Sequence, residues 1–191
     1  MIALFFGSFN PIHRGHTALA HEVLQQCGVS EVWFVVSPHN PLKQSGELWS
    51  ESLRLRLVEL AIANEARFKA CTVEFELPKP NFTINTLRRL NELYPNEKFA
   101  LVIGADNLAV FDRWRDYQTI LDHYSVFVYP REGIDSAYWH RQYPQTQLID
   151  APLFPISSTE IRKRLHKGEC VKDFLDERVY KEIKKYRNKA L

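Results

Sequence analysis

The stretch that decides the fold is Ile2-Ala3-Leu4-Phe5-Phe6, which runs directly into Gly7-Ser8-Phe9-Asn10-Pro11-Ile12-His13-Arg14-Gly15-His16. A short, continuous apolar run is typical of a strand buried on both faces. After the loop, apolar residues repeat at helical spacing and a glycine ends the pattern: Leu19, Val23, Leu24, Cys27, Gly28. A buried strand, a loop with two glycines and an amphipathic helix predict the first unit of an α/β domain.

The rest of the chain repeats this alternation. Buried parallel strands are predicted at 31–36, 99–103 and 125–129, with a weaker last strand at 147–150. Helices are predicted at 53–61 and 82–94, and the alternating residues 71–77 predict a further strand at a sheet edge. This order predicts an α/β fold: a single doubly wound (Rossmann-like) domain with a mainly parallel sheet, helices on both faces and a ligand cleft at the carboxyl ends of the strands.

Composition supports one domain and narrows the classes of function. The 191 residues are 45% hydrophobic and contain no evident linker, so residues 1–191 are predicted to form one domain with a helical part from about 157 to 191. A net charge of +2 is too balanced for general attraction to nucleic acid or membranes, and no apolar run could span a bilayer. The three cysteines, Cys27, Cys71 and Cys170, are far apart in sequence. We expect a cytoplasmic protein without nucleic-acid or membrane partners.

The loop after the first strand has the chemistry of an anion site. Gly7 and Gly15 allow the backbone to approach a ligand, and a helix that begins near Gly15 directs its unpaired N–H groups and its positive dipole end at that ligand. His13 and His16, three residues apart, can point the same way and donate ring N–H bonds to phosphate oxygens. Two alternatives remain: one histidine caps the turn while the other is a surface residue, or the two form a zinc pair, for which no third ligand is evident.

Two later loops add phosphate-binding groups. Ser37-Pro38-His39-Asn40-Pro41-Leu42-Lys43 follows the second strand and presents Lys43 on a segment stiffened by two prolines. Pro155-Ile156-Ser157-Ser158-Thr159-Glu160-Ile161-Arg162 places three hydroxyl groups at a helix N-terminus, with an arginine one turn further on. Ser157 is the predicted N-cap, which leaves Ser158, Thr159 and Arg162 to bind phosphates.

Four ordered stretches resemble a known family. They are Gly7 to His16; Asn81-Phe82-Thr83-Ile84-Asn85-Thr86-Leu87; Ile103-Gly104-Ala105-Asp106-Asn107-Leu108 with Trp114; and Ile156 to Arg162. The chain is similar over almost its whole length to nucleotidylyltransferases of the GxFxPxHxGH type, and most similar to the bacterial nicotinate-nucleotide adenylyltransferases. Ser8 and Asn10 depart from the commonest spelling of the motif but keep its size and hydrogen-bonding capacity.

The resemblance implies an ATP site. Phosphate binding near the reacting centre falls to Gly7, Ser8, Phe9, His13 and His16, with positive charge added by Lys43. The pyrophosphate end is implied to lie at the α-helix after residue 157, against Ile156, Ser158 and Arg162. Adenine and ribose are implied to contact the backbone near Gly104 and the carboxylate of Asp106. His13, His16, Lys43 and Arg162 are thus the implied catalytic residues, acting through positioning and charge.

The resemblance also implies a mononucleotide site. Trp114 stacks on the pyridine ring, Thr83 and nearby backbone N–H groups receive the nicotinate carboxylate, and Phe82 closes the pocket; Ser8, Lys43 and Arg115 are assigned to the same substrate. Because Phe82, Thr83, Asp106 and Trp114 include no cation, we expect backbone N–H groups to select the carboxylate. Simpler interpretations remain open: Trp114 as core, and Asp106 and Thr83 as helix caps.

The implied reaction joins ATP and nicotinate mononucleotide into deamido-NAD by direct in-line attack, with Mg²⁺ bound to the ATP phosphates and no protein metal site. Its alternatives are the same transfer to nicotinamide mononucleotide or phosphopantetheine, a nucleotide-binding regulatory module without turnover, and a fragment of a tRNA synthetase. The position of His13 disfavours a phosphopantetheine enzyme, in which threonine is usual. Self-association of the chain is left open.

Overall fold

The sheet has six strands, and every neighbouring pair in it is parallel. The computed structural model describes residues 1–38 and 48–189. Within them the strands are β1 Ile2–Gly7, β2 Glu31–Val36, β3 Phe68–Cys71, β4 Phe99–Gly104, β5 Ser125–Tyr129 and β6 Gln147–Leu148, in the order β3-β2-β1-β4-β5-β6. The predicted parallel α/β architecture is confirmed.

Eight helices connect or follow these strands in the described part of the chain. They are α1 Arg14–Gln26, α2 Glu51–Ile62, α3 Thr83–Leu93, α4 Ala105–Leu108, α5 Tyr117–His123, α6 Ser136–Gln142, α7 Ser158–His166 and α8 Glu177–Lys189. Short 3-10 turns lie at 73–75, 111–113 and 172–174. None of the helices in these residues is long and apolar enough to cross a membrane.

Alternate residues of each central strand enter two different cores. In β1, Ala3 and Phe5 pack into one core with α1, α2, α7 and α8, whereas Ile2 and Leu4 pack into the other with α3 and α4. Successive side chains of a strand point to opposite faces, so an apolar run with no alternation requires a layer of helices on each side. The two cores confirm the doubly wound arrangement.

One predicted strand is wrong. The edge strand is Phe68–Cys71, and residues Val73–Phe75 form a 3-10 turn instead of continuing it. In a strand over 71–77, the alternating pattern would place Glu74 on the solvent-facing side. Glu74 is instead buried and accepts a hydrogen bond from the Thr86 hydroxyl at 2.9 Å. A buried carboxylate that binds α3 draws the chain out of the sheet.

The strand order reverses direction at β1 and β4. From β1 the chain winds outward through β2 to β3, and it then returns to β4, beside β1, before winding the other way. At such a switch point the loops after the two central strands diverge, which opens a crevice at their carboxyl ends. The loop that begins at Ser8 and the turn at Gly104 flank this crevice.

We expect Leu57→Ala to destabilise the protein by about 2–5 kcal/mol, because the side chain is fully buried in the core shared with α1. The exposed Glu59, two residues further along α2, provides a control, and Glu59→Ala should stay within about 0.5 kcal/mol of the parent. Urea unfolding measures both. Equal effects of the two changes would contradict the placement of α2.

Candidate active site

Phe9 fixes the conformation of the loop after β1. This residue has a φ of 43°, which is unusual for any residue but glycine. Its ring is buried and packs edge-on against the rings of Phe5 and His16. The ring covers Gly7, where an added Cβ would lie 2.8 Å from it. Gly7 is therefore required by close approach of the Phe9 ring, and the loop is shaped by packing rather than by regular hydrogen bonding.

His13 and His16 are brought together at the start of α1, as predicted. Their ring centroids are 3.7 Å apart, and the backbone N–H of His13 donates to Nδ1 of His16 at 3.2 Å. Because Nδ1 of His16 accepts, the proton of its neutral ring lies on Nε2, where it can serve as a donor. Nδ1 of His13 is buried and has no hydrogen-bond partner among the described residues.

His13 is uncharged at neutral pH. Burial, with help from the nearby positive charge of Arg131, lowers the pKa of His13 from 6.5 to about 4. A neutral ring can still donate one N–H bond to a phosphate oxygen. It also avoids repulsion between two stacked imidazolium ions.

The start of α7 lies against the same loop. Ser157 is the N-cap, as predicted, and accepts from the backbone N–H of Glu160 at 3.1 Å. The Ser158 hydroxyl donates to the Pro11 carbonyl at 2.9 Å, and the Arg162 guanidinium donates to the Asn10 carbonyl at 2.9 Å. Two helix N-termini, those of α1 and α7, thus converge on one loop. Ile156 is half-buried against the core beside them.

Asp106 lies on the other side of the crevice. It is the second residue of α4 and not its N-cap, which is Gly104. Its carboxylate is 3.3 Å from Nε of Arg131, and an added Cβ on Gly104 would collide with this carboxylate. Arg131 also lies over the ring of Tyr129 and donates to its hydroxyl at 2.9 Å. Sequence reasoning missed Arg131, which is one of several exposed arginines.

A third group surrounds the N-terminus of α3. Phe82 is the N-cap and Thr83 the first helical residue, so the interpretation of Thr83 as the cap is wrong. The guanidinium carbon of Arg115 is 5.0 Å from the centre of the Phe82 ring. Trp114 is half-buried and packs on Phe111 at 5.0 Å, which leaves part of its ring accessible. The structure therefore places the Arg115 guanidinium beside the N-cap of α3.

Two buried charged side chains were also missed. Arg54 is fully buried and donates to backbone carbonyls of the loops after β1 and β2, including that of Ser8 at 2.6 Å. Glu74 is 3% exposed, and burial raises the pKa of its carboxyl. The signal for Arg54 is its position in the apolar stripe of α2, next to Leu53 and one turn before Val58.

The remaining predicted site residue is Lys43. It lies in 39–47, outside the described residues. Within the described ranges, no group of three or more His, Cys, Asp or Glu side chains could hold a metal ion, so the alternative of a zinc pair gains no third ligand there.

Comparison with known proteins shows the family of this chain. The cytidylyltransferase-like family matches residues 4–164, so fold and site define a nucleotidylyltransferase. Probable nicotinate-nucleotide adenylyltransferases of Bacteroides fragilis and Bacteroides thetaiotaomicron are 47% and 45% identical to this chain; they cover 94% and 96% of it, and it covers 89% and 90% of them. The chain belongs to the nicotinate-nucleotide adenylyltransferase family.

A solved structure extends the agreement in fold. The Plasmodium falciparum nicotinic acid mononucleotide adenylyltransferase complexed with NaAD superposes with a TM-score of 0.79 at 21% identity. The match covers 97% of this chain and 95% of that one. The two chains therefore share their fold over almost their whole lengths.

The buried His13 predicts a pH dependence of stability. The unfolded chain binds a proton at this residue near pH 6.5, whereas the folded chain resists it until about pH 4. The free energy of unfolding should therefore fall as pH drops through this window, by about 3 kcal/mol from this group. His13→Gln should flatten the decline when urea unfolding is measured from pH 7 to pH 4. Parallel curves for parent and variant would contradict the assignment.

Proposed function

We propose that this chain transfers the adenylyl group of ATP to nicotinate mononucleotide, giving deamido-NAD and pyrophosphate. The observation that carries the proposal is the convergence of two helix N-termini and the stacked pair His13 and His16 on one loop at the sheet's switch point. Such a place suits a polyphosphate. The names of the relatives supply the acceptor.

The reaction requires positioning rather than a nucleophilic side chain. An oxygen of the mononucleotide's 5′-phosphate attacks the α-phosphorus of ATP in line. The new phosphorus–oxygen bond forms as the bond to the β-phosphate oxygen breaks, and pyrophosphate leaves with that electron pair. Negative charge builds on the α-phosphate oxygens and on the leaving group, so fixed donors directed at those atoms lower the barrier.

The proposed donors belong to two groups. Nε2–H of His16 and the first turn of α1 face the α-phosphate, with His13 beside them. Arg162 and the first turn of α7 take the pyrophosphate end, and in this role the Arg162 guanidinium exchanges some of its bonding to the loop for bonds to phosphate oxygens. Lys43 remains a proposed source of additional charge.

Mg²⁺ is proposed to arrive as part of the substrate, bound to the ATP phosphates and mostly to water. No group of three or more His, Cys, Asp or Glu side chains in the described residues could hold the ion, and the Asp106 carboxylate is paired with Arg131. Asp106 and the backbone near Gly104 are proposed to hold the ribose and adenine. The cytoplasm is the proposed compartment.

The acceptor pocket is proposed at the N-terminus of α3. The pyridine ring stacks on the accessible part of Trp114, and its carboxylate meets Thr83 and the unpaired N–H groups of the first helical turn. Arg115, held over Phe82, adds a guanidinium that favours the acid over the neutral amide.

The proposal is tested by pyrophosphate release with MgATP and each of three acceptors: nicotinate mononucleotide, nicotinamide mononucleotide and phosphopantetheine. We expect fast release with the first, and a product with the mass of deamido-NAD. Tight ATP binding without pyrophosphate release for any acceptor would overturn the enzymatic function. Release only with another acceptor would overturn the assigned substrate.

His16→Ala should lower kcat by a factor on the order of 10² to 10³, because one preorganised donor to the α-phosphate is lost. The melting temperature and the affinity for a non-hydrolysable ATP analogue serve as controls for folding and for the ground state. A folded variant with nearly normal kcat would assign His16 to structure alone.

Arg115→Gln should lower kcat/KM for nicotinate mononucleotide by about tenfold and change that for nicotinamide mononucleotide by less than about twofold, since a charge-assisted bond is available only to the acid. Raised ionic strength should lower the parent's ratio of kcat/KM for nicotinate mononucleotide to that for nicotinamide mononucleotide, towards the ratio of the variant. The contribution of the backbone N–H groups to this ratio should persist.

Arg113 is exposed and flanks Trp114 on the other side in the sequence, so it provides the matched control. Arg113→Gln should leave the ratio of the two acceptors unchanged. An equal loss for both acceptors in Arg115→Gln, or the same change in the Arg113 variant, would contradict a role of Arg115 in selecting the carboxylate.

A further inference from the structure

We propose that Arg54 is a positioning residue for adenylyl transfer: its buried guanidinium turns the Ser8–Phe9 peptide so that the Phe9 N–H faces the reacting phosphates. This inference rests on the proposed function. Arg54 touches neither substrate. It acts through the loop that carries the phosphate site.

The contacts of Arg54 are unusual for a buried cation. The side chain has no exposed surface, yet among residues 1–38 and 48–189 its acceptors are four neutral backbone carbonyls and no carboxylate. Nη1 donates to the carbonyls of Ser8 at 2.6 Å and Ser37 at 2.7 Å, Nη2 to that of Pro38 at 3.1 Å, and Nε to that of Trp49 at 3.0 Å.

Stability alone does not account for this choice. A buried charge loses its hydration, and apolar residues of similar volume often stabilise a core as well as a buried ionic group does. The guanidinium instead offers several donors in one rigid plane, directed at different segments. It is thus suited to fix the relative positions of the segments that follow β1 and β2 and the one that precedes α2.

The bond to Ser8 has a directional consequence. In a planar trans peptide the carbonyl and the following N–H point in opposite directions. Because Arg54 draws the Ser8 carbonyl into the protein, the Phe9 N–H is directed away from Arg54, and no acceptor among the described residues receives it. This N–H belongs to the loop that leads into α1, and the Phe9 ring packs against one of the proposed phosphate donors, His16, with 5.2 Å between the ring centroids.

A second contact couples the two loops. The Ser37 backbone N–H donates to the Gly7 carbonyl at 2.9 Å, while the Ser37 carbonyl accepts from Arg54. The same guanidinium therefore sets the distance between the ends of β1 and β2. Its positive charge also lies behind the phosphate loop, where it adds to the attraction for anions.

The experiment compares Arg54→Ala with Leu57→Ala, a core variant one turn along the same helix. Both lower the melting temperature, but only Arg54→Ala should lower kcat, on the order of 10²-fold, with KM for nicotinate mononucleotide changed by less than about threefold. Arg54→Lys, which keeps the charge but not the planar donors, should fall between Arg54→Ala and the parent.

Chemical rescue separates positioning from general damage. Methylguanidinium in the assay should restore part of kcat to Arg54→Ala and none to Leu57→Ala. Equal losses of kcat at equal loss of stability, or no rescue of a folded Arg54→Ala, would overturn the proposal.

A measurement on the parent protein covers the case in which the Arg54 variants do not fold. The protein is labelled with ¹⁵N-phenylalanine, and the Phe9 signal is identified among the 12 phenylalanines with Phe9→Leu. On addition of a non-hydrolysable ATP analogue, the Phe9 amide proton should move downfield as it bonds to phosphate. A stationary Phe9 signal while other signals shift would overturn the proposal. Parent protein that releases no pyrophosphate would instead refute the proposed function, whatever Phe9 does.

Discussion

The loop after β1 must be irregular and buried at the same time, and the rest of the site depends on how that conflict is resolved. Irregular backbone leaves carbonyl groups unpaired, and such groups are costly in a protein interior. Here side chains pair with them: Arg54 binds Ser8, Arg162 binds Asn10, and Ser158 binds Pro11. Arg54 belongs to α2, whereas Ser158 and Arg162 belong to α7, so satisfying the loop also brings these two helices to the site.

Features set by local sequence could be predicted, whereas features set by distant partners could not. Strands such as Glu31–Val36 are set by runs of apolar residues that need two covering layers, and this local pattern is visible in one sequence. The phosphate loop and the cap at Ser157 are likewise local. The edge strand failed because Glu74 is buried through a bond to Thr86, twelve residues away and on another element. A charged residue in such a pattern is predicted to face solvent, because the local sequence does not show the hydrogen-bond partner that allows it to be buried.

Arg54 and Arg115 show more clearly what the sequence alone does not predict. Arginine within a helix usually places its charge in water, and the local sequence offers a single hint that separates the fully buried Arg54 from the exposed Arg56 two residues later. The only hint is that Arg54 interrupts an apolar stripe. The assignment of Arg115 to the mononucleotide stays a prediction, and its place over Phe82 depends on how α3 packs beside the turn at 111–113, which is tertiary information.

The contacts that complete the loop come late in the chain. Ser158 to Pro11, Arg162 to Asn10 and Arg14 to the Leu175 carbonyl join residues separated by 147, 152 and 161 positions. On the ribosome, the loop after β1 is therefore made before these partners and remains without their bonds until residues 158, 162 and 175 have been synthesised. A translation product that stopped before α7 could still form the central strands, yet the loop after β1 would lack these bonds. The sheet and this loop are thus completed at different stages of synthesis.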